Sequence, residues 1–381
     1  TGHSNIASGR HSMFYNTTGY HNTASGVYSL RKNTTGHANT AYGYESLYSN
    51  TTGVYNAAFG HVSLRSNTTG VSNTAYGYYS LKYNTTGNSN TAFGRNSLFS
   101  NTTGTRNIAI GYRALDYPDT ENDNLAIGHD ALGGAIAGGE YNVAIGNYSL
   151  DANTSGDNNV GVGYEALSGN TTGSSNTMVG FGAGKANTTG AANTFVGTNA
   201  GNVSTTGAAN TFLGSYAGLA NTTGDGNTFI GRQAGNANTT GWDNTFIGKD
   251  AGLNITTADR NTFLGGSAGR LTTTGAYNTF IGEAAGSSNT TGSQNTFVGL
   301  KGGESNTTGG DNTNIGMYAG RYNTTGTRNI AIGNNALDGP DTENDNLAIG
   351  YDALGGAIDG GEENVAIGNY SLDANTTGDY N

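Results

Sequence analysis

The sequence predicts an all-β chain, a parallel β-solenoid or β-roll of 17-residue coils. Three observations predict it. One unit recurs from end to end, as in Asn39-Thr40-Ala41-Tyr42-Gly43, two variable residues, Ser46-Leu47, two more, then Asn50-Thr51-Thr52-Gly53. A strand-closing glycine returns at Gly9, Gly26, Gly43, Gly60 and onward to Gly368, 22 in all, with one-residue slips only between Gly128 and Gly146 and between Gly350 and Gly368. Apolar residues hold fixed columns within a composition otherwise rich in glycine, asparagine and threonine, which disordered sequence does not do. A unit this short cannot bury a core until its neighbours stack on it.

The first element of each coil is a strand. The residue before its glycine is Tyr42, Phe59, Ile110, Val179, Leu213 or Ile367, apolar except at Ser8 and Ser25, so this column is expected to be buried. Period-two alternation puts Thr40, or Ile108, Leu125 and Val143 in other coils, on the same face. The middle position, Ala41 or Phe195, faces the other way and is also apolar, so both faces of the strand are expected to be covered.

A pairing rule then identifies the core contact. Where the middle position is small, as at Ala41 or Ala109, the fourth residue past the glycine is large, Leu47 or Leu115. Where it is Phe195 or Phe229, that later residue is Gly201 or Gly235, and Met178 with Gly184 follows suit. Close packing penalises voids and overfilling alike, so a compensating exchange means one shared cavity. The coil is expected to fold back on itself, with a second, shorter strand carrying Ser/Ala-Leu/Gly.

Glycines such as Gly43 supply positive φ at the strand end, and Asn-Thr-Thr-Gly is a turn by similar chemistry. The asparagine that opens each strand, such as Asn39, is expected to form a ladder of side-chain amides along the stack. At about 4.8 Å per coil, 22 coils predict a rod on the order of 105 Å.

The 381 residues are read as one continuous solenoid, residues 1–381, with sub-blocks of Ala/Leu coils at 1–104, an acidic-turn block at 105–167, Phe/Gly coils at 168–326 and a duplicate of the acidic-turn block at 327–381. The net charge of −11 and the lack of a dense basic run argue against a nucleic-acid partner. No apolar stretch approaches a membrane span, so no membrane insertion is expected, and the absence of cysteine removes disulfides from the account. An apolar stripe on the second strand face calls for a partner, and self-association follows, as a parallel homotrimer or an end-to-end filament.

The coils Asn107-Ile108-Ala109-Ile110-Gly111, Asn124-Leu125-Ala126-Ile127-Gly128 and Asn142-Val143-Ala144-Ile145-Gly146, each followed by a small residue and leucine, resemble the head repeats of trimeric autotransporter adhesins and are similar to repeats of phage tail-fibre shafts. The resemblance covers essentially the whole chain. It implies a left-handed parallel β-roll of three chains, an extracellular, cell-surface or phage tail-fibre location, and an adhesive role. The 17-residue coil and the Asn-Thr-Thr-Gly turn depart from the usual head repeat.

Candidate sites fall outside the core. Residues 105–156 recur at 327–378 with few changes, and in both copies an acidic run replaces the Asn-Thr-Thr-Gly turn. It places Asp119, Glu121 and Asp123, and again Asp341, Glu343 and Asp345, at a spacing found in some calcium loops, making calcium the one possible cofactor. The glycine and distal glutamate of the complete signature are missing, and a solvated acidic turn with proline-fixed entry is the favoured account of the run. Asn-Thr-Thr is also an N-glycosylation acceptor, for which turn formation is the alternative account. The turn threonines invite comparison with ice-binding arrays, but being adjacent they would face opposite ways on a strand.

Tyr28, Tyr44, Tyr48, Tyr55, Tyr78, Tyr79 and Tyr83 crowd the variable positions of the first third, near His37, His61, Arg31 and Arg65, and form the candidate binding surface for a glycan or a cell-surface receptor. Trp242 is a possible lone contact residue, with packing on its neighbour coil as the alternative. The six histidines stand in differing columns with no recurring nucleophile and base beside them, so no enzyme is expected. The functions that remain are an adhesive structural fibre, a self-assembling filament or ice-binding solenoid, and more remotely a polysaccharide-active β-helix enzyme.

Overall fold

The computed structural model describes residues 2–134, 138–339, 342–356, 361–374 and 378–380. They contain 22 strands of three residues each and no helix. The chain divides into two compact units, Thr1–Ala191 and Ala192–Asn381.

Eleven strands lie in each unit, from Ile6–Ser8 to Thr177–Val179 in the first and from Thr194–Val196 to Val365–Ile367 in the second. Within each unit successive strands pair in parallel with identical positions opposed, so Ala41 lies beside Ala58 and Phe229 beside Phe246. This is the predicted parallel β-solenoid of 17-residue coils. The 18-residue coils keep the register: Leu125 pairs with Val143 and Leu347 with Val365, so the extra residue is absorbed away from the strand.

The direction of the strand faces differs from the sequence expectation. The middle residue alone points inward: Ala41 and Phe195 are fully buried, whereas Tyr42 is 43% exposed and Ile110 39%. Alternation says which residues share a face, and it does not say which face is the interior. The bulkier column at Tyr42 suggested the core, but of the strand's three residues only the middle one enters the coil interior, where it meets its partner four past the glycine.

That partner does not lie on a second strand. Residues 43–49 form a chain of turns in which Gly43, Glu45 and Leu47 have φ of +128°, +51° and +51°. Alternating handedness aims the peptide groups along the stack. Glu45 N donates to Val27 O of the preceding coil at 3.0 Å, while Leu47 N donates to Ser63 O of the following coil at 3.1 Å. A left-handed L-residue costs about 1–2 kcal/mol. Complete burial of the Leu47 side chain contributes about 2 kcal/mol in the other direction. At Gly43 no side chain fits, since a β-carbon would stand 2.7 Å from the carbonyl carbon of Gly60.

In the second unit seven middle positions are phenylalanine. Phe195, Phe212, Phe229, Phe246, Phe263, Phe280 and Phe297 stack with centroids 4.5–4.9 Å apart and planes within 15° of parallel. Each faces a glycine at the left-handed position, as Phe195 faces Gly201, where the β-carbon that leucine brings elsewhere has no room.

Two asparagine ladders close the coils. In the expected one, Asn39 Nδ2 donates to Gly53 O at 2.8 Å, and its Oδ1 accepts the backbone N–H of Asn56 at 3.0 Å. The second runs through the turn: Asn50 Nδ2 donates to Asn33 Oδ1 at 2.9 Å and to Gly53 O at 3.0 Å. Both Asn50 donors are therefore used, and the residue is fully buried, so the repeated Asn-Thr-Thr of these coils has no accessible amide for a glycan.

Candidate binding face

Apart from the two residues it turns inward, such as Ser46 and Leu47, the arc between the strand glycine and the Asn-Thr-Thr-Gly turn points its side chains outward, and in the first unit aromatic and cationic residues of successive coils stack there. One position past the glycine, Tyr44 stacks on His61 at 5.2 Å and His61 on Tyr78 at 5.1 Å. Arg95 follows, with its guanidinium 5.6 Å from the Tyr78 ring and 5.7 Å from Tyr112, and Tyr112 then stacks on His129 at 5.2 Å. The spacing is close to the strand separation, which is why one ring per coil gives a continuous column.

Beside it runs a second cation–aromatic cluster. Arg31 sits 5.4–6.0 Å from the rings of Phe14, Tyr15, Tyr28 and Tyr48 and donates through Nη1 to the Tyr48 hydroxyl at 2.7 Å. Arg65 approaches Tyr48 from the other side at 5.1 Å. Lys82 is held between Tyr79 at 4.6 Å and Tyr83 at 4.5 Å. Such contacts stabilise by roughly 0.5–1 kcal/mol each at exposed sites. Glu45 beside Tyr44 pushes that phenol above its ordinary range.

Of the tyrosines singled out from the sequence, the fold thus gathers Tyr28, Tyr44, Tyr48, Tyr78, Tyr79 and Tyr83 on one side of the coil. Tyr55 stands apart, edge-on to His37 in a separate column with Tyr20. Trp242 belongs to the second unit and packs on its neighbour coil, where the Arg260 guanidinium lies 4.0 Å over its ring. Of the cations, Arg31 and Arg65 were read beside the tyrosines from the sequence, and Lys82 and Arg95 were not. The signal was available: each basic residue of 1–104 stands one, five or six positions after a strand glycine.

The acidic turn is organised differently from a calcium loop. Glu121 is buried and its carboxylate accepts the N–H groups of Asp119, Thr120 and Gly138 at 2.8–3.0 Å. Asp123 makes a two-pronged ion pair with Arg106 at 2.6 Å, which holds its carboxyl below the usual range, and Asp119 accepts from the Thr102 hydroxyl. In the second copy Glu343 accepts from Thr342 N at 2.7 Å and Asp345 pairs with Arg328, while Asp341 lies outside the described residues. Among the described residues no three acidic or histidine side chains converge as metal ligands.

A third charged cluster occupies the same arc. Arg113 pairs with Asp116 at 3.0 Å and lies 3.5 Å from Asp130. Burial raises the carboxyl pKa values of Asp116 and Asp151 and pushes Asp338, in the duplicate block, up to about 6.

No family model matches the chain, and no curated protein does. The fold and its stacked surface columns define the class, a tandem-repeat β-solenoid of structural type.

Proposed function

We propose that this chain is a structural and adhesive fibre element that acts outside the cell or on a phage tail fibre, with copies associating side by side through the outward strand column. The observation that carries the reading is that column itself. In the first unit it runs through Tyr42, Phe59, Tyr76 and Phe93, stacked at 4.8–5.8 Å, into Ile110, Ile127 and Ile145. In the second it is aliphatic from Val196 to Ile367. Contiguous apolar surface on this scale marks an interaction site. Parallel copies would bring like columns together, and a closed trimer covers all of them. Repeated aromatic and cationic columns on another side then supply many weak contacts, whose strength lies in their number.

Sedimentation across a range of concentrations tests this. A trimer that dissociates on Ile110→Asp and Ile247→Asp supports it, and a monomer at all concentrations overturns it.

One observation favours a second reading. Thr194, Thr211, Thr228, Thr245, Thr262, Thr279, Thr296 and Thr313 form an outward column beside the aliphatic one in the second unit. This regular hydroxyl and methyl array is the kind of surface that engages ice, whereas the first threonine of each turn is engaged along the stack, as Thr34 Oγ1 donates to Thr51 O. Thermal hysteresis by a monomeric chain would put this reading first.

A further inference from the structure

The chain is acidic overall, yet its first 104 residues hold six basic side chains, Arg10, Arg31, Lys32, Arg65, Lys82 and Arg95, against one carboxylate, Glu45. The other 277 residues hold ten basic against 26 acidic. Charge asymmetry of this degree within one chain points to an oppositely charged partner for the divergent part.

The fold concentrates the asymmetry further. All six cations stand on the arc after the strand glycine, at positions one, five or six, so they share one side of the stacked coils with the tyrosine columns. Of these six, only Arg65 is ion-paired to a carboxylate among the described residues, Glu45 at 2.6 Å. Arg95 lies between the rings of Tyr78 and Tyr112, its guanidinium carbon 5.6 and 5.7 Å from their centroids, with no carboxylate among the described residues ion-paired to it. A guanidinium engaged by rings and by no carboxylate keeps its N–H donors for an anion, in the planar, two-pronged geometry that carboxylates and sulfates accept. From Asp116 onward the same arc carries Asp116, Asp130 and Asp151, which bounds the basic stretch.

We infer that this face of residues 1–104 binds a linear acidic polysaccharide laid along the stack. The inference rests on the attachment role proposed above and names its ligand class. An extended polyanion suits a stripe whose charges recur at multiples of the coil step, as Arg31, Arg65 and Lys82 do in one column. The aromatic rings decide between polyanions. The Tyr44, His61 and Tyr78 rings stack on one another, so ring faces are taken up within the column. Nucleic-acid binding by stacking needs free ring faces, whereas a glycan carrying hydroxyls and carboxylates or sulfates needs donors and cations.

The test uses the full chain at low ionic strength with four immobilised probes: polygalacturonate, dextran sulfate, neutral dextran and single-stranded DNA. Binding to either or both acidic glycans, without binding to dextran, is expected, and which of the two binds identifies a carboxylated or a sulfated source. The triple variant R10Q/K82Q/R95Q is expected to weaken that binding by on the order of tenfold while remaining folded by circular dichroism at the assay temperature, with a modest fall in its thermal melt from the lost cation–aromatic contacts. A second triple, R232Q/K249Q/R270Q, makes the same change in net charge in the other unit and is expected to bind as the parent does. Equal loss in both triples, no loss in the first, or tighter binding to DNA than to both glycans overturns the inference. Sedimentation of the same samples reports the assembly separately, so an oligomer that ignores acidic glycans sinks this inference and leaves the proposed fibre standing.

Discussion

The ring of Phe195 lies against Gly201 so closely that a β-carbon at 201 would stand 2.5 Å from the ring Cδ2. In the Ala41 coil the same place is filled from the other side by Leu47, so each coil has one cavity and two ways to occupy it. Gly201→Leu is expected to destabilise by about 1–3 kcal/mol or more through overpacking, and Phe195→Ala by about 3–5 kcal/mol through the void. The double variant should recover most of both losses. Chemical denaturation of the four proteins closes the cycle, and additive losses would mean that the two positions do not share a cavity.

The turn ladder makes a graded prediction. Asn50 donates to Asn33 and Gly53, and its Oδ1 receives Nδ2 of Asn67 at 2.9 Å. Asn101 makes the equivalent donations, but its buried Oδ1 is unpaired because the next rung is Pro118, which has no amide to offer. Asn50→Ala should therefore cost more than Asn101→Ala, by about 1 kcal/mol, the worth of one hydrogen bond. Equal losses in urea melts would contradict this.

The pH dependence has a definite sign. Burial raises the Asp338 pKa to about 6, with Arg321 opposing the shift and Asp352 and Glu304 adding to it. Because the folded state disfavours the ionised form, Asp338 destabilises the fold above pH 6. That penalty fades as the pH falls through 6 and is gone below the ordinary value near 3.8. Asp338→Asn should raise Tm at pH 8 and leave it nearly unchanged at pH 4. Asp123 works the other way: Arg106 lowers its pKa, so its contribution is complete above the ordinary value and is lost as the pH falls through the depressed one.

Calcium chelation is expected to leave Tm unchanged, since Glu121 already caps three backbone N–H groups and Asp123 is committed to Arg106. Glu121→Ala, by contrast, removes the charged acceptor of all three N–H groups and should cost about 1.5–3 kcal/mol, the worth of hydrogen bonding to an ionised group. A calcium-dependent rise in Tm that the glutamate variant abolishes would reverse this account.

What the repeats made legible were columns. The strand, its closing glycine, the opening asparagine and the exchange between Ala41/Leu47 and Phe195/Gly201 all appear as recurring or co-varying positions, and the fold pairs them as expected. Orientation was not legible, because a two-residue period is blind to which face is inside. Nor was the arc, since leucine at positive φ violates its own propensity and nothing local announces it; only stacking on Ser63 and burial sustain Leu47 there. The second asparagine ladder was hidden behind a motif that explains itself as a turn. At the candidate face the tyrosines were visible one by one, while the cations between them needed the coil geometry to be seen as partners.

Asn314 occupies a middle position between Phe297 and Ala331, with its amide oxygen and nitrogen both buried and unpaired. It stands where the phenylalanine stack gives way to alanine coils, so the seam between two core types falls on one ill-suited residue. A gene that lengthens by copying whole coils can splice freely within either type. A crossing from one type to the other leaves a rung that belongs to neither, and such seams would be where a copied array first breaks.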